Sequence, residues 1–345
     1  MRESLRRLAS EEGGERRAGG HRRVRIELMD GEHINIDIDR KATGGDLLDE
    51  VCDFLDILEM DYFGLLHVQR GDPRVWVDLG RRLSKTFRNE PWDVRFAVKF
   101  YPPEPSELQD DVTRYQLALA VRRDLMEGRL NCSSISCALL ASYVLQAELG
   151  DHATGRRIAP LLAEHRAAPT RVLCPELEAR IEELYIKHKG QTPAEAELNY
   201  LENAKKLPLY GAELHCARDV DDVDIVLAVS AGGVCVYRDG ILMNRFPWTK
   251  ISKISYSKRA FSLRLRPAEC EPFETHLGFR LPTARAAKKL WRCCVEHHIF
   301  FRRAAPVVVE RISGFPRLGS RRLSCRRTLS QMRAEPSTFT RAIAT

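Results

Sequence analysis

From Val94 to Phe100 apolar side chains occupy every second position, as Val94, Phe96, Val98 and Phe100 alternate with Arg95, Ala97 and Lys99. This is how a strand with one face on a core reads. Past Asp110 the apolar residues Leu117, Ala118, Val121 and Leu125 recur at helical spacing instead, up to Gly128. Asp110 supplies an N-cap and Gly128 a stop. Between the two patterns stand Pro102, Pro103 and Pro105, which have no N–H to donate and restrict the residue before them. A change of period across a proline cluster predicts a domain joint.

On the N-terminal side of that joint, Val24, Ile26 and Leu28 alternate up to Asp30-Gly31, and Ile34, Ile36 and Ile38 alternate on the way back. Asp-Gly between two such runs predicts a hairpin with a two-residue turn. A helical stripe follows (Leu47, Leu48, Val51, Phe54, Leu55 and Leu58), then strand character at Val75 to Val77 and Val94 to Phe100. Hairpin, helix and further strands is the order of a ubiquitin-like β-grasp.

Residues 108–206 read as helical. Ile135 to Leu149 is rich in Ala and Leu, and Leu177, Ile181, Leu184 and Tyr185 mark another apolar face. A last helix opens on Thr192-Pro193-Ala194-Glu195, a capping box with proline at the first helical position.

Residues 210–302 read as seven short strands and a helix: Glu213 to Ala217, Asp224 to Val229, Val234 to Tyr237, Ile241 to Phe246, Ile251 to Tyr256, Phe261 to Leu265 and Thr275 to Leu281. Thr283 then caps a helix with Ala287, Leu290, Trp291 and Cys294 on one side. That is the architecture of pleckstrin-homology (PH) and phosphotyrosine-binding (PTB) domains.

Composition supports a largely globular chain: 345 residues at 44% hydrophobic suffice for two or three cores. No segment approaches the ~18 to 20 uninterrupted apolar residues of a membrane span, and MRESLRRLASEEGGERRAGG lacks the apolar core of a signal peptide. Ten cysteines without a C-x-x-C pair read as free thiols in a reducing compartment. The net charge is +7, but ten arginines against two acids give Arg302 to Thr345 a surplus of eight. The rest of the chain is therefore one charge negative, which points to anionic lipid or acidic protein as the tail's partner rather than to nucleic acid.

The wording of these segments resembles one family. VKFYPPEP, DDVTRYQLALAVRRDL and EGRLNC look like the junction between the first two lobes of the FERM domain. LEMDYFGL and WVDLGRRLSK look like its first lobe, TPAEAELNYLENAKKLPLYG its second, and FPWTKISKISY and RAAKKLWRCCVEHHIFFR its third, all of band 4.1 type. The resemblance implies an α+β chain of several lobes: an extension over 1–20, a ubiquitin-like lobe over 21–101, a helical bundle like acyl-CoA-binding protein over 102–208, a PH/PTB-like sandwich with a C-terminal helix over 209–302, and a basic FERM-adjacent tail over 303–345, with both ends mostly disordered.

It further implies a non-enzymatic adaptor with no cofactor. The partners implied are cytoplasmic tails of transmembrane proteins, anionic lipids, membrane-associated scaffold proteins and calmodulin. The location implied is the cytoplasm, the cytoplasmic face of the plasma membrane, the cytoskeleton and cell junctions. In this lobe type a ligand strand adds beside the fifth strand, against the last helix. Carried over, the groove comprises Ile251, Ser252, Lys253, Ile254, Ser255 and Tyr256 with the flanking cations Lys288 and Arg292. Arg81 and Arg82 fall where ezrin-type relatives place lysines for an inositol phosphate head group, although Asp78 departs from that pattern.

Four patterns offer chemistry or binding. His215-Cys216 begins like the HC-x5-R loop of tyrosine phosphatases, some of which carry a FERM module, so the targeting half of such an enzyme is the alternative reading. The arginine position holds Asp222, which repels phosphate, and the pair lies in a predicted strand. Cys293, Cys294, His297 and His298 have metal-ligand spacing on a helix, but one face presents two of them at most and no second ligand pair stands out; packing is expected and no metal. Calmodulin favours basic amphipathic helices, and the one such segment, Thr283 to His298, is expected to pack its apolar face on the sandwich. In the tail, Ser324 and Ser330 follow arginines as basophilic kinases require.

Overall fold

The computed structural model describes residues 21–69, 72–88, 90–153, 157–267 and 275–301. The 1–20 extension and the basic tail, with Ser324 and Ser330, lie outside the described residues. The chain divides after Tyr210 into two units.

In the first unit β1 (His21–Glu27) and β2 (His33–Asp39) pair antiparallel, from His21↔Asp39 to Glu27↔His33. The expected two-residue turn is replaced by a three-residue one. Leu28 N donates to Glu32 O at 2.8 Å across Met29-Asp30-Gly31, with Gly31 at φ +94°. Burying both Leu28 and Met29 carries the pairing one residue past Glu27, and a glycine in the left-handed region then closes the longer loop. The sheet runs β2-β1-β5-β3-β4, with β3 (Phe63–Gln69), β4 (Asp72–Trp76) and β5 (Asp93–Val98); β5 is parallel to β1. Helix α1 (Gly44–Phe54) lays Leu47, Leu48 and Val51 on this sheet. Its start is held by an unforeseen capping box of Thr43 and Asp46. Helix α2 (Leu83–Phe87) leads into β5.

Five helices complete the unit: α3 (Asp111–Met126), α4 (Ser134–Leu149), α5 (Ile158–Glu164), α6 (Pro175–Lys187) and α7 (Pro193–Ala204). Helix α4 is apolar nearly all round and becomes the buried member of the bundle. Its two buried polar side chains are tied down: Ser142 bonds Leu139 O and His188 Nε2, and the Gln146 amide nitrogen donates to Asp151 and to Gln191 O, while the Gln146 side-chain oxygen is buried without a partner. The capping box of α7 is formed as expected, with Glu195 N donating to Thr192 Oγ1 and Thr192 N to Glu195 Oε2. Thr192→Ala should lower the stability of this unit by about 1 kcal/mol, read as an earlier midpoint in urea.

The sheet and the bundle share one continuous core, and polar groups bond them across the proline joint. The Asp110 carboxylate accepts from Val112 and Thr113 N–H at the start of α3 and from Leu58 N–H of the β-grasp at 3.0 Å. Glu59 accepts from the N–H groups of Gln109 and Asp110. Tyr101 donates its hydroxyl to Asp124 at 2.6 Å. Glu27 of β1 is gripped by Arg95 and by Arg123 of α3; burial opposes its charge, but the two guanidinium groups outweigh that and hold its carboxyl below the ordinary range.

The second unit is a single antiparallel sheet in the order β10-β11-β12-β6-β7-β8-β9. Its strands are β6 (Glu213–Arg218), β7 (Asp224–Ser230), β8 (Gly233–Arg238), β9 (Ile241–Pro247), β10 (Ile251–Ser257), β11 (Ala260–Leu265) and β12 (His276–Arg280). All seven coincide with the strands expected from alternation. Helix α8 (Ala284–Phe301), capped by Thr283 Oγ1 through Ala286 N, closes the core by burying Ala287, Leu290 and Cys294 against Leu227, Val229, Phe261 and Leu263.

Candidate functional site

Strand β10 ends the sheet and pairs with β11 through Ser257↔Ala260, Ser255↔Ser262 and Lys253↔Arg264. A two-residue turn at Lys258-Arg259 joins them, so these pairs exchange the ladder hydrogen bonds. The backbone groups of Ile254 and Tyr256 therefore face the open edge. Beside that edge runs α8. Trp291 of α8 donates its indole Nε1–H to the carbonyl of Ile254 at 3.3 Å, and the ring of Tyr256 lies 5.3 Å from that of Trp291. Edge and helix thus form a trough with an aromatic wall, where an extended peptide can find N–H and C=O partners.

The expected groove residues do not share one role. Ile254, half-buried, and Tyr256, exposed, line the trough. Lys253 is exposed, Ser252 turns its hydroxyl to Arg264 O, and Ser255 bonds Ser262. Ile251 is buried in the core beside a bulge in the ladder, so it offers the trough no side chain. Lys288 is exposed on α8, whereas Arg292 pairs with Glu296 at 2.9 Å. Trp291, which meets the edge most directly, carried no such role in the sequence. Its apolar spacing marked it as core, and only the placement of its N–H separates the two. The opposite edge, β9, exposes Ile241, Leu242 and Met243; such an apolar run reads as buried, so the sequence offered no signal for it.

Arg81 and Arg82 are exposed in the turn before α2. The departing acid Asp78 shapes this turn, its carboxylate accepting from Gly80 N–H at 3.1 Å. His215 and Cys216 lie in the middle of β6 rather than in a loop, with His215 buried and Cys216 exposed on opposite faces. Asp222 is engaged by Arg218. Of the four candidate ligands on α8, Cys294 is core, His298 packs on Trp248, and His297 Nδ1 lies 2.9 Å from the Cys293 carbonyl oxygen. The apolar face of α8 is buried, so calmodulin could take it only if the helix left the sheet.

The helical lobe holds a small hollow of about 20 Å³ lined by Tyr115, Arg122, Tyr143, Glu148, Glu197 and Tyr200. Burial first, and then the neighbouring Glu148 carboxylate, push Glu197 up to about 7, against the pull of Arg114 and Arg122. In the unfolded chain Glu197 titrates near 4.5, so the folded state binds the extra proton between these values. This part of the stability is present at low pH and is lost as pH rises through about 7. Urea midpoints should thus rise from about pH 8 to about pH 5, and Glu197→Gln should flatten that rise.

Known proteins resemble this arrangement in sequence and in fold. The family model of the FERM N-terminal domain matches residues 26–89, that of the FERM central domain residues 103–215, and that of the FERM C-terminal PH-like domain residues 219–308. Protein 4.1 homolog of Drosophila melanogaster is 50% identical over 298 residues, which is 86% of this chain and 17% of that protein. Band 4.1-like protein 2 of Homo sapiens is 45% identical over 309 residues, 90% of this chain and 30% of that protein. The chain thus spans less than a third of either relative. Among solved structures, the FERM and C-terminal domain complex of Drosophila Merlin superposes with a TM-score of 0.72 at 24% identity, covering 81% of this chain and 96% of that one.

Proposed function

The chain belongs to the FERM family, among its band 4.1 members, and on that premise we propose that it is a non-enzymatic adaptor joining cytoplasmic tails of membrane proteins to the membrane-associated cytoskeleton. The observation that supports this most is the open β10 edge beside α8. Ile254 and Tyr256 would pair with the backbone of an incoming juxtamembrane segment, Tyr256 and Trp291 would receive its side chains, and Lys253 and Lys288 would favour acidic sequences. Lobes over 21–101, 102–208 and 209–302 suit this role, with membrane-associated scaffold proteins as further partners.

The basic tail would add contact with the anionic leaflet, at about 1 kcal/mol per cation near the surface. Phosphates on Ser324 and Ser330, each adding roughly −1.5 to −2 charges, would weaken that contact without abolishing it. Arg81 and Arg82 would be a second contact for phosphoinositide head groups. On this reading the protein would act at the cytoplasmic face of the plasma membrane and at cell junctions. The tyrosine-phosphatase reading gains no support from His215 and Cys216 on β6.

Ile254→Pro tests the groove. Proline removes a donor that faces the edge and leaves the β10–β11 ladder bonds intact, so the lobe should still fold. Fluorescence anisotropy with juxtamembrane peptides should show affinity falling about tenfold or more, the worth of one or two backbone hydrogen bonds. Unchanged affinity in a folded variant would remove the groove assignment.

A further inference from the structure

We propose that Glu213, His215 and Cys293 form a binding site for one zinc-class divalent cation, tying β6 to α8. The pair missing from the helix's own ligand pattern comes from the strand. Glu213 and His215 stand two residues apart and so share one face of β6, and that face meets α8 at Cys293. One ligand atom from each of the three side chains lies within 4.8 Å of the other two. His215 Nε2 is already 3.4 Å from Glu213 Oε1. His215 and Cys293 are buried, and Glu213 is nearly so.

The chemistry of the set selects the ion. A thiolate, an imidazole and a carboxylate suit a borderline cation such as zinc, whereas magnesium and calcium favour oxygen alone. The site is also electrically balanced. The cation displaces the proton of the Cys293 thiol, which leaves to solvent; the resulting thiolate and the Glu213 carboxylate then cancel two positive charges, and neutral His215 completes the set. A buried dication needs that neutrality. Bonds of about 2.0 to 2.3 Å put ligand atoms around a tetrahedral ion about 3.3 to 3.8 Å apart, a contraction within reach of side-chain rotation. Three protein ligands leave the fourth position to water or to an outside group. One turn along α8, the contact of His297 Nδ1 with the Cys293 carbonyl oxygen braces the turn that carries Cys293. Nearby Ala217, Leu290 and Cys294 are buried among apolar neighbours, so the site backs onto the core.

The test uses the whole chain, reduced and stripped with a chelator, titrated with cobalt as a spectroscopic probe and with zinc in competition. One equivalent should give a sulfur-to-cobalt charge-transfer band and the ligand-field bands of a tetrahedral site. Cys293→Ala should abolish the charge-transfer band, while Cys174→Ala, at an exposed thiol of the first unit, should leave it intact. His215→Gln and Glu213→Gln should each weaken binding by about 100-fold or more, since losing a direct ligand costs at least as much as losing one of the outer-shell partners that orient ligands. Zinc should raise the melting temperature of the wild type and not of Cys293→Ala. A band that survives Cys293→Ala, no binding at all, or affinities equal across the variants would overturn the site. Should Cys293→Ala fail to fold by circular dichroism, Glu213→Gln decides: it keeps the shape of the side chain and removes one ligand charge, and unchanged affinity there rejects the proposal.

Discussion

Gly233→Ala is expected to destabilise the PH-like unit by on the order of 3 kcal/mol or more and to leave the other unit intact. Gly233 begins β8 at φ +139°, a backbone conformation that residues with a side chain rarely adopt. A Cβ there would sit 2.1 Å from the carbonyl oxygen of Phe246 and 2.8 Å from Pro247 Cα. Both are backbone atoms of β9, held by the pairings Gly233↔Pro247 and Val234↔Phe246. Neither can withdraw without opening the ladder above Val234 and Trp248, both in the core. In calorimetry on the whole chain the transition of this unit should fall by about 10 °C or more. Gly232→Ala is the control, because a Cβ at Gly232 meets nothing within 4 Å. Equal melting of the two variants would refute the steric account.

Asp110→Ala is expected to weaken the β-grasp and the helical bundle together, by about 2 to 4 kcal/mol. The estimate has two parts. Losing the N-cap of α3 costs about 1 kcal/mol, and leaving the N–H of Leu58 without its carboxylate costs about 1 to 3 kcal/mol. Because the two lobes share one core, the loss should spread through both. Hydrogen exchange should therefore show equal drops in the opening free energy of β3 amides and of α3 amides. A drop confined to α3 would mean that the lobes open independently. Asp110→Asn, which keeps a good capping group, should cost much less.

Much of this architecture was legible from neighbours along the chain. The proline joint, the cap at Asp110, the capping box at Thr192 and the seven strands of the second unit follow from periodicity and local chemistry, which act over a few residues. Where the pattern was ambiguous, local reading stopped. Strand β3 opens on the run Phe63 to Leu66 with Phe63, Leu65 and Leu66 all buried and His67 buried after them, because it lies inside the sheet and offers no exposed face with which the apolar residues could alternate. Helix α5 is too short for its period to stand out, and the Asp30-Gly31 turn gained a residue from the burial of Leu28 and Met29.

The candidate sites divide in the same way. Local pattern was enough to specify a strand at Ile251 to Tyr256 and a helix capped by Thr283, and which of their residues are apolar. Tertiary structure alone decided that β10 is an edge, that Trp291 reaches the Ile254 carbonyl, that Arg292 turns to Glu296, and that Cys293 meets Glu213 and His215. Hydrophobic period reports which side of an element is buried. It carries no information on which distant element covers that side, because pairing between strands and the packing of a helix on a sheet are fixed by the fit of whole faces brought together in space.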